Sequence, residues 1–348
     1  EIYTLSLHDA LPIYELSDRK SGLRLMIGGK MRKKVLMLMN GSAGTGMADQ
    51  NAFQIVKELT QRNCEVTVYP IIPAAELTAE TILVACDGRF DVVACCGGDG
   101  TLNHVINGMM MMDHRPPLGY IPSGSTNDFA KSIGIPRGIL AQCETISRDH
   151  VFAYDIGCFN DTYYFNYIAA FGAFTSISYD TSQIFKNAIG HAAYMLKALL
   201  TLPQNVSYRC RMHIEHDGET EDDEYLFGSI SNARSMAGFA MPFSSSVDLS
   251  DGLFEVMLIK APPLFIEVQA ILATLLAGKT DSPYIKVFQT DHVHIKASEN
   301  TAWTWDGEYG GTMRETDIRV EKQAIALLLP PKEKAEAIEA SNQPIFPE

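Results

Sequence analysis

A chain of 348 residues, 46% hydrophobic and 20% charged, is long enough for two domains and has the balance of an ordinary globular protein, which excludes extended disorder. Its formal net charge of −14 argues against nucleic acid as a partner, because a phosphate backbone rewards clustered Lys and Arg, and against a simple electrostatic membrane anchor. The seven cysteines contain no C-x-x-C pair, so neither a disulfide framework nor a zinc site is signalled, and a reducing cytoplasmic compartment is expected.

Residues 1–30 have neither the basic start nor the apolar centre of a signal peptide and read as a non-native or disordered leader, with Met31 at the expected start. "KVLMLMN" then reads as a strand ending at Asn40, "GSAGTG" as a glycine turn, and the next segment as a helix carrying Phe53, Ile55, Val56 and Leu59 at helical spacing. "CEVTVYPI" is a second strand, "ELTAETILVACDG" a second helix, and "FDVVACC" a third strand whose unbroken apolar character suits a sheet covered on both faces. "TLNHVINGMMM" reads as helix and "PLGYIP" as strand. Alternating strands and helices predict right-handed crossovers and a mostly parallel sheet, with ligands at the carboxyl ends of its strands.

After about residue 155 the pattern changes. "VSYRCRMHIEH" alternates as a half-exposed antiparallel strand, "HDGET" is a hairpin turn, and "YLFGSIS", "GLFEVMLIK", "HVHIKA" and "IRVEKQAIALLLP" are further strands. Two helices are expected to interrupt them, at 189–202 and 262–277. The second holds the most apolar run, too short to span a bilayer and interrupted by Glu267. The expected architecture is an α/β N-terminal domain with a mostly parallel sheet over 31–150, then a mainly antiparallel β domain over 151–314, with residues 315–335 packing back on the first domain.

Three features stand at strand ends. "GGDGT" occupies a strand–helix junction where helix amides favour an anion, so a phosphate is the expected visitor. Gly97, Gly98 and Gly100 let the backbone close on it, while Asp99 repels a phosphate and is suited to Mg²⁺ or its waters. The competing reading is a turn with a surface Asp. "NGSAGTG" matches neither G-x-x-x-x-G-K-[ST] nor G-x-G-x-x-G and alone is a glycine-rich turn, but two such loops on neighbouring strands reinforce each other. In "IPSGSTNDFA", Ser123, Ser125, Thr126, Asn127 and Asp128 gather polar groups, with Asp128 either a helix cap or a metal or ribose ligand.

Taken in order, "GGDGTLN", "PSGSTNDFA", "DGLFEV" and "WDGEYGG" resemble the bacterial lipid kinases of the diacylglycerol kinase catalytic-domain family, which also contains sphingosine and ceramide kinases, from about Lys34 to Pro330. The resemblance implies an α/β domain similar to those of NAD kinase and diacylglycerol kinase, followed by a β-sandwich, with ATP and Mg²⁺ in the cleft and a lipid substrate entering from a membrane surface. It implies that Asn40, Gly41, Ser42, Ala43 and Gly44 line the nucleotide, that Gly97, Gly98, Asp99, Gly100, Thr101, Leu102 and Asn103 hold its phosphates, and that Ser125 also contacts it. The family usually has Thr where Ser125 stands, which keeps a hydroxyl, and Pro where Gly41 stands, which this chain lacks. Asp99, Asp128 and Asp306 resemble an acidic network around Mg²⁺, and Asp248, Asp251 and the Leu253 carbonyl a second Mg²⁺ site. The base that takes the hydroxyl proton falls in "WDGE", with Glu308 preferred and Asp306 a metal partner or alternative base. Diacylglycerol is the preferred acceptor. The rivals are an NAD kinase or other small-molecule kinase and a catalytically silent nucleotide-binding regulator; a dehydrogenase is weakest, since the dinucleotide fingerprint is absent. Peripheral membrane association is expected without a transmembrane segment, and the oligomeric state, a homodimer included, is open.

Overall fold

The computed structural model describes residues 26–27, 30–41, 47–124, 127–172, 208–233, 235–236, 239–240 and 247–331. Residues 1–25, 28 and 29 of the expected leader, Ser42 to Gly44, Ser125, Thr126 and the helix expected at 189–202 lie outside the described residues, while Met26–Ile27 of the leader pairs antiparallel with Lys30–Met31.

The N-terminal half alternates β1 (Lys33–Met39), α1 (Met47–Gln61), β2 (Cys64–Pro70), α2 (Ala79–Ala85), β3 (Val92–Gly97), α3 (Asp99–Met110) and β4 (Leu118–Pro122). β2, β1, β3 and β4 lie side by side in that order, each pair parallel. Both faces are buried, and β1 shows why its sequence is apolar throughout. Val35, Met37 and Met39 face one core with Ile55 and Leu59 of α1, while Leu36 and Leu38 face the other with Leu102, Val105 and Ile106 of α3. Two short helices that the sequence reading lacks as defined elements follow, α4 (Asp128–Ser132) and α5 (Ile139–Ser147).

The remainder is β-rich: β5 (Val151–Phe159), β6 (Tyr163–Phe165), β7 (Ile168–Gly172), β8 (Cys210–His216), β9 (Glu219–Ser231), β10 (Phe254–Lys260), α6 (Phe265–Leu276), β11 (Ile285–Thr290), β12 (His292–Trp305) and β13 (Glu308–Leu328). Here pairing is antiparallel, including β8 with β9 and β12 with β13. β5 to β7 and β11 were not foreseen as strands, and β12 and β13 run well beyond the expected segments. The far end of β13 turns parallel and pairs Leu327 with Leu118 of β4, so one mixed sheet runs through both halves of the chain. One apolar core likewise spans the join: Leu102 and Phe129 from the first half share it with Tyr154, Tyr167, Ile168 and Leu226 from the second.

Candidate active site

The site forms where the carboxyl ends of β1, β3 and β4 meet the turn between β12 and β13. Asn40, at the end of β1, donates from its backbone to the Cys96 carbonyl at 3.0 Å and from Nδ2 to Thr101 Oγ1 at 3.0 Å. The first two glycine-bearing loops are therefore tied together. Gly97 is fixed by the same threonine, because a Cβ there would come within 2.5 Å of Thr101 Cβ. Gly98 ends the loop as the residue before α3 and has no side chain to cap it, which leaves the first-turn amides of α3 available to an anion.

The "GGDGT" and "PSGSTN" loops touch backbone to backbone. Ser123 donates its N–H to the Gly97 carbonyl at 2.9 Å, and a Cβ on Gly124 would come 2.7 Å from Gly98 Cα. Asn127 folds the second loop from a left-handed conformation, φ 51°, accepting from the Gly124 N–H at 2.9 Å and donating to the Gly124 carbonyl at 2.7 Å. Asp99 reaches across, its carboxylate accepting from the N–H groups of Asp128 at 3.0 Å and Phe129 at 3.3 Å, so an acid from the first turn of α3 caps α4. Burial raises the Asp99 carboxyl above its ordinary range; the Asp128 charge adds to this and the two amides oppose it. Asp128 lies beside Lys131 at 3.5 Å. Tyr120 Oη and Ser123 Oγ, on and just after β4, are buried without a hydrogen-bond partner.

The other wall is a two-residue hairpin. Trp305 pairs with Glu308, and Asp306 (φ 50°) and Gly307 (φ 87°) make the turn, the conformation that Asp-Gly adopts between twisted strands. Behind it Gly310 lies under the Trp305 ring, where a Cβ would come within 2.7 Å, and Gly311, at φ 99°, sits at a register shift. The first glycine of the "GG" in "WDGEYGG" is thus a seat for an indole.

Asp306 is 6% exposed, and its carboxylate accepts from Asn103 Nδ2 at 2.7 Å and from the N–H groups of Asn166 at 2.7 Å, Tyr167 at 3.0 Å and Ile168 at 3.2 Å. Burial pushes its carboxyl up to about 6 against the pull of these donors. Four donors fill its acceptor positions. It forms no three-carboxylate cluster with Asp99 and Asp128, since among the described residues no group of three or more His, Cys, Asp or Glu side chains is placed to hold a metal. The Asp306 carboxylate is instead taken up by the backbone amides around it and by Asn103.

Glu308 differs. It is exposed, among the described residues its carboxylate has no hydrogen-bond or ion-pair partner, and Oε1 lies 3.9 Å from where a Gly100 Cβ would be. The turn therefore faces the phosphate-loop candidate directly.

Two residues of the expected phosphate loop have their side chains engaged elsewhere. Leu102 is fully buried in the shared core. Asn103 is buried, donates to the Tyr164 carbonyl at 3.2 Å as well as to Asp306, and accepts from the Tyr163 hydroxyl. One turn later Asn107 exchanges bonds with the same strand, donating to the Tyr164 carbonyl at 2.8 Å and accepting from its N–H at 2.9 Å. These side chains fasten α3 to β6. Asn107, Tyr163 and the amides of 166–168 escaped the sequence reading, although Asn103 and Asn107 at i, i+4 on one helix face were a readable signal.

The loop with Asp248, Asp251 and Leu253 is held by its own groups. Asp248 accepts from Ser250 N–H and Oγ at 3.1 and 2.8 Å, Asp251 from the Leu253 N–H at 2.9 Å, and Lys322 Nζ donates to the Asp251 carbonyl at 2.9 Å. The buried acid beside it is Asp155, which was not anticipated and accepts from the Gly252 and Gln323 N–H groups, both at 2.6 Å.

Comparison with known proteins identifies the two halves of the chain. Residues 34–159 match the family described as diacylglycerol kinase catalytic domain, and residues 171–329 match the YegS C-terminal NAD kinase beta sandwich-like domain. A diacylglycerol kinase of Bacillus subtilis is 31% identical over 88% of this chain and 99% of its own length; one of Staphylococcus saprophyticus is 30% identical over the same shares. The crystal structure of a diacylglycerol kinase from Bacillus anthracis superposes with a TM-score of 0.71 at 22% identity, covering 86% of this chain and 98% of that one. This chain belongs to the diacylglycerol kinase family.

Proposed function

We propose that this protein is an ATP-dependent lipid kinase that phosphorylates the hydroxyl of diacylglycerol, giving phosphatidic acid. The observation that carries the reading is the unengaged Glu308 carboxylate at 3.9 Å from the Cβ position of Gly100, in the first turn of α3. In this reading the triphosphate lies over the amides that follow Gly98, with the unpartnered Ser123 hydroxyl as a further donor to it. Asn40 and Gly41 line the nucleotide with Ser42, Ala43, Gly44 and Ser125. The lipid oxygen attacks the γ-phosphorus as the bond from that phosphorus to the ADP oxygen breaks, and Glu308 takes the hydroxyl proton.

Asp99 and Asp128 fit a Mg²⁺, because two neighbouring carboxylates together with substrate phosphates make up its usual ligand set. When bound, the ion supplies charge neutralisation for the transferring group. Asp306 is assigned here as a positioning residue that holds the turn, not as base or ligand. A second cation at Asp248, Asp251 and the Leu253 carbonyl would sit beside Lys322, whose charge opposes it. No described helix is long and apolar enough to cross a membrane, and the reading places the enzyme in the cytoplasm, meeting its lipid at a membrane surface.

The test is incubation of the purified full chain with Mg·ATP, labelled in the γ-phosphate, and vesicles containing diacylglycerol, with NAD offered in parallel. Label in phosphatidic acid is the expected outcome. Label in NAD alone would replace the reading with an NAD kinase, and no transfer to either acceptor would favour a silent nucleotide-binding protein.

A further inference from the structure

One face of α3 connects Glu308 to a second acid that the reaction above does not use. Gly100, His104 and Gly108 recur at four-residue spacing and form a single stripe along the helix. At the first position Glu308 Oε1 approaches, 3.9 Å from the Gly100 Cβ site. At the last, α2 packs close, because a Cβ on Gly108 would come 2.9 Å from Glu80 Cα. His104 lies between these contacts. Its Nδ1 is 2.7 Å from Glu80 Oε1, and 65% of its side chain is exposed. The bond to Glu80 uses one ring nitrogen, Nδ1, and leaves Nε2 for a further partner.

Glu80 itself is firmly placed. It sits in the first turn of α2, which starts from a reciprocal Thr78–Thr81 capping box, with the Thr78 hydroxyl accepting from the Thr81 N–H at 3.2 Å and the Thr81 hydroxyl from the Thr78 N–H at 3.1 Å. Glu308 has no such support of its own, and a base with an unrestrained carboxylate needs a neighbour to hold it in attacking geometry.

We propose that His104, anchored by Glu80, is the positioning residue that orients the Glu308 carboxylate toward the acceptor hydroxyl. The proposal rests on Glu308 being the base. The charged and titratable groups that act on His104 are Glu80 from α2 and Glu308 from β13. The two carboxylates support the imidazolium: the bond to Glu80 raises the His104 ring above its ordinary range, and the Glu308 charge adds to this against partial burial.

The experiment pairs kinetics with a readout independent of turnover. His104→Gln in the full chain is expected to lower kcat on diacylglycerol vesicles about tenfold, with KM for ATP unchanged. His104→Lys, which restores a cation facing both acids, is expected to recover kcat to within about threefold of wild type. Wild-type kcat in His104→Gln would overturn the proposal, as would a His104→Lys enzyme no faster than His104→Gln, since that pattern describes a merely structural ring. In parallel, the ring resonance of His104 is titrated by NMR in wild type, Glu80→Gln and Glu308→Gln. The midpoint is expected to fall in both variants, and an unmoved midpoint in Glu308→Gln also overturns the proposal. If that midpoint moves while Glu308→Gln keeps full activity, Glu308 is not the base but its electrostatic influence on His104 stands, so the two failures are told apart.

Discussion

Asp217-Gly218-Glu219 and Asp306-Gly307-Glu308 are the same tripeptide in the same backbone conformation. Each closes a two-residue hairpin with positive φ at Asp and Gly, 48° and 77° in the first, 50° and 87° in the second. Each also follows a ring that stacks on an aromatic neighbour, His216 on Phe288 and Trp305 on Tyr163. Asp217 is nonetheless 50% exposed and among the described residues bonds only to Thr290 and His216, whereas Asp306 is enclosed by four donors. Local sequence sets the turn, and what it docks against sets its chemistry. The first expected consequence is the largest. Glu308→Gln should lower kcat by about 10² to 10⁴-fold, the usual contribution of a positioned base, with ATP affinity retained, while Glu219→Gln should turn over as wild type. Equal losses in the two variants would erase the distinction.

The two aspartates should differ in stability as clearly as the glutamates differ in rate. Asp306→Ala leaves one amide side chain and three backbone N–H groups unpaired in a buried site and is expected to cost about 3 kcal/mol or more. Asp217→Ala, in an exposed turn, should cost within about 1 kcal/mol. Denaturant midpoints of the two variants measure the contrast.

Asp306 also gives the comparison a pH signature. Its carboxyl in the folded protein stands at about 6, against roughly 3.9 in an unfolded chain. Between those values the folded protein holds a proton that the unfolded chain has released. The group's contribution to stability is therefore fully present below about pH 4 and is lost as pH rises through about 6, by an amount on the order of 2 to 3 kcal/mol. Asp306→Asn removes the titration. The stability of wild type relative to Asp306→Asn should thus fall between pH 4 and pH 7, and a difference that stays flat across that range would contradict a raised carboxyl.

The contrast also marks where sequence reading ends. The apolar β1 and β3, the glycines at their ends and both Asp-Gly turns were legible, because strand burial, helix-terminus chemistry and positive φ each leave a local trace. That Glu308 faces Gly100 followed from ordered motifs and not from any single segment. The fate of Asp306 left almost no trace, since three of its four donors are backbone amides of 166–168, and an amide is present at every non-proline residue. The strand β11, with Lys286 and Gln289 interrupting its apolar residues, fell below the pattern threshold for the same reason that it survives: its register comes from pairing with β10.

The smallest expected effects concern the aromatic supports, and they test whether docking or turn geometry couples structure to rate. Tyr163 stacks on Trp305 with ring centres 4.0 Å apart and donates its hydroxyl to Asn103. Tyr163→Phe keeps the stack and removes that bond, for an expected loss of about 1 kcal/mol and a kcat within about threefold of wild type. Tyr163→Leu removes the stack as well, adding about 1 kcal/mol and loosening the turn that presents Glu308, so its rate should fall further. At the other hairpin, His216→Leu removes a ring stacked on Phe288 at 3.8 Å and should lower the thermal midpoint without touching turnover. A rate loss in His216→Leu equal to that in Tyr163→Leu would mean that general softening of the β-rich half, and not the docking of one turn against α3, controls the reaction.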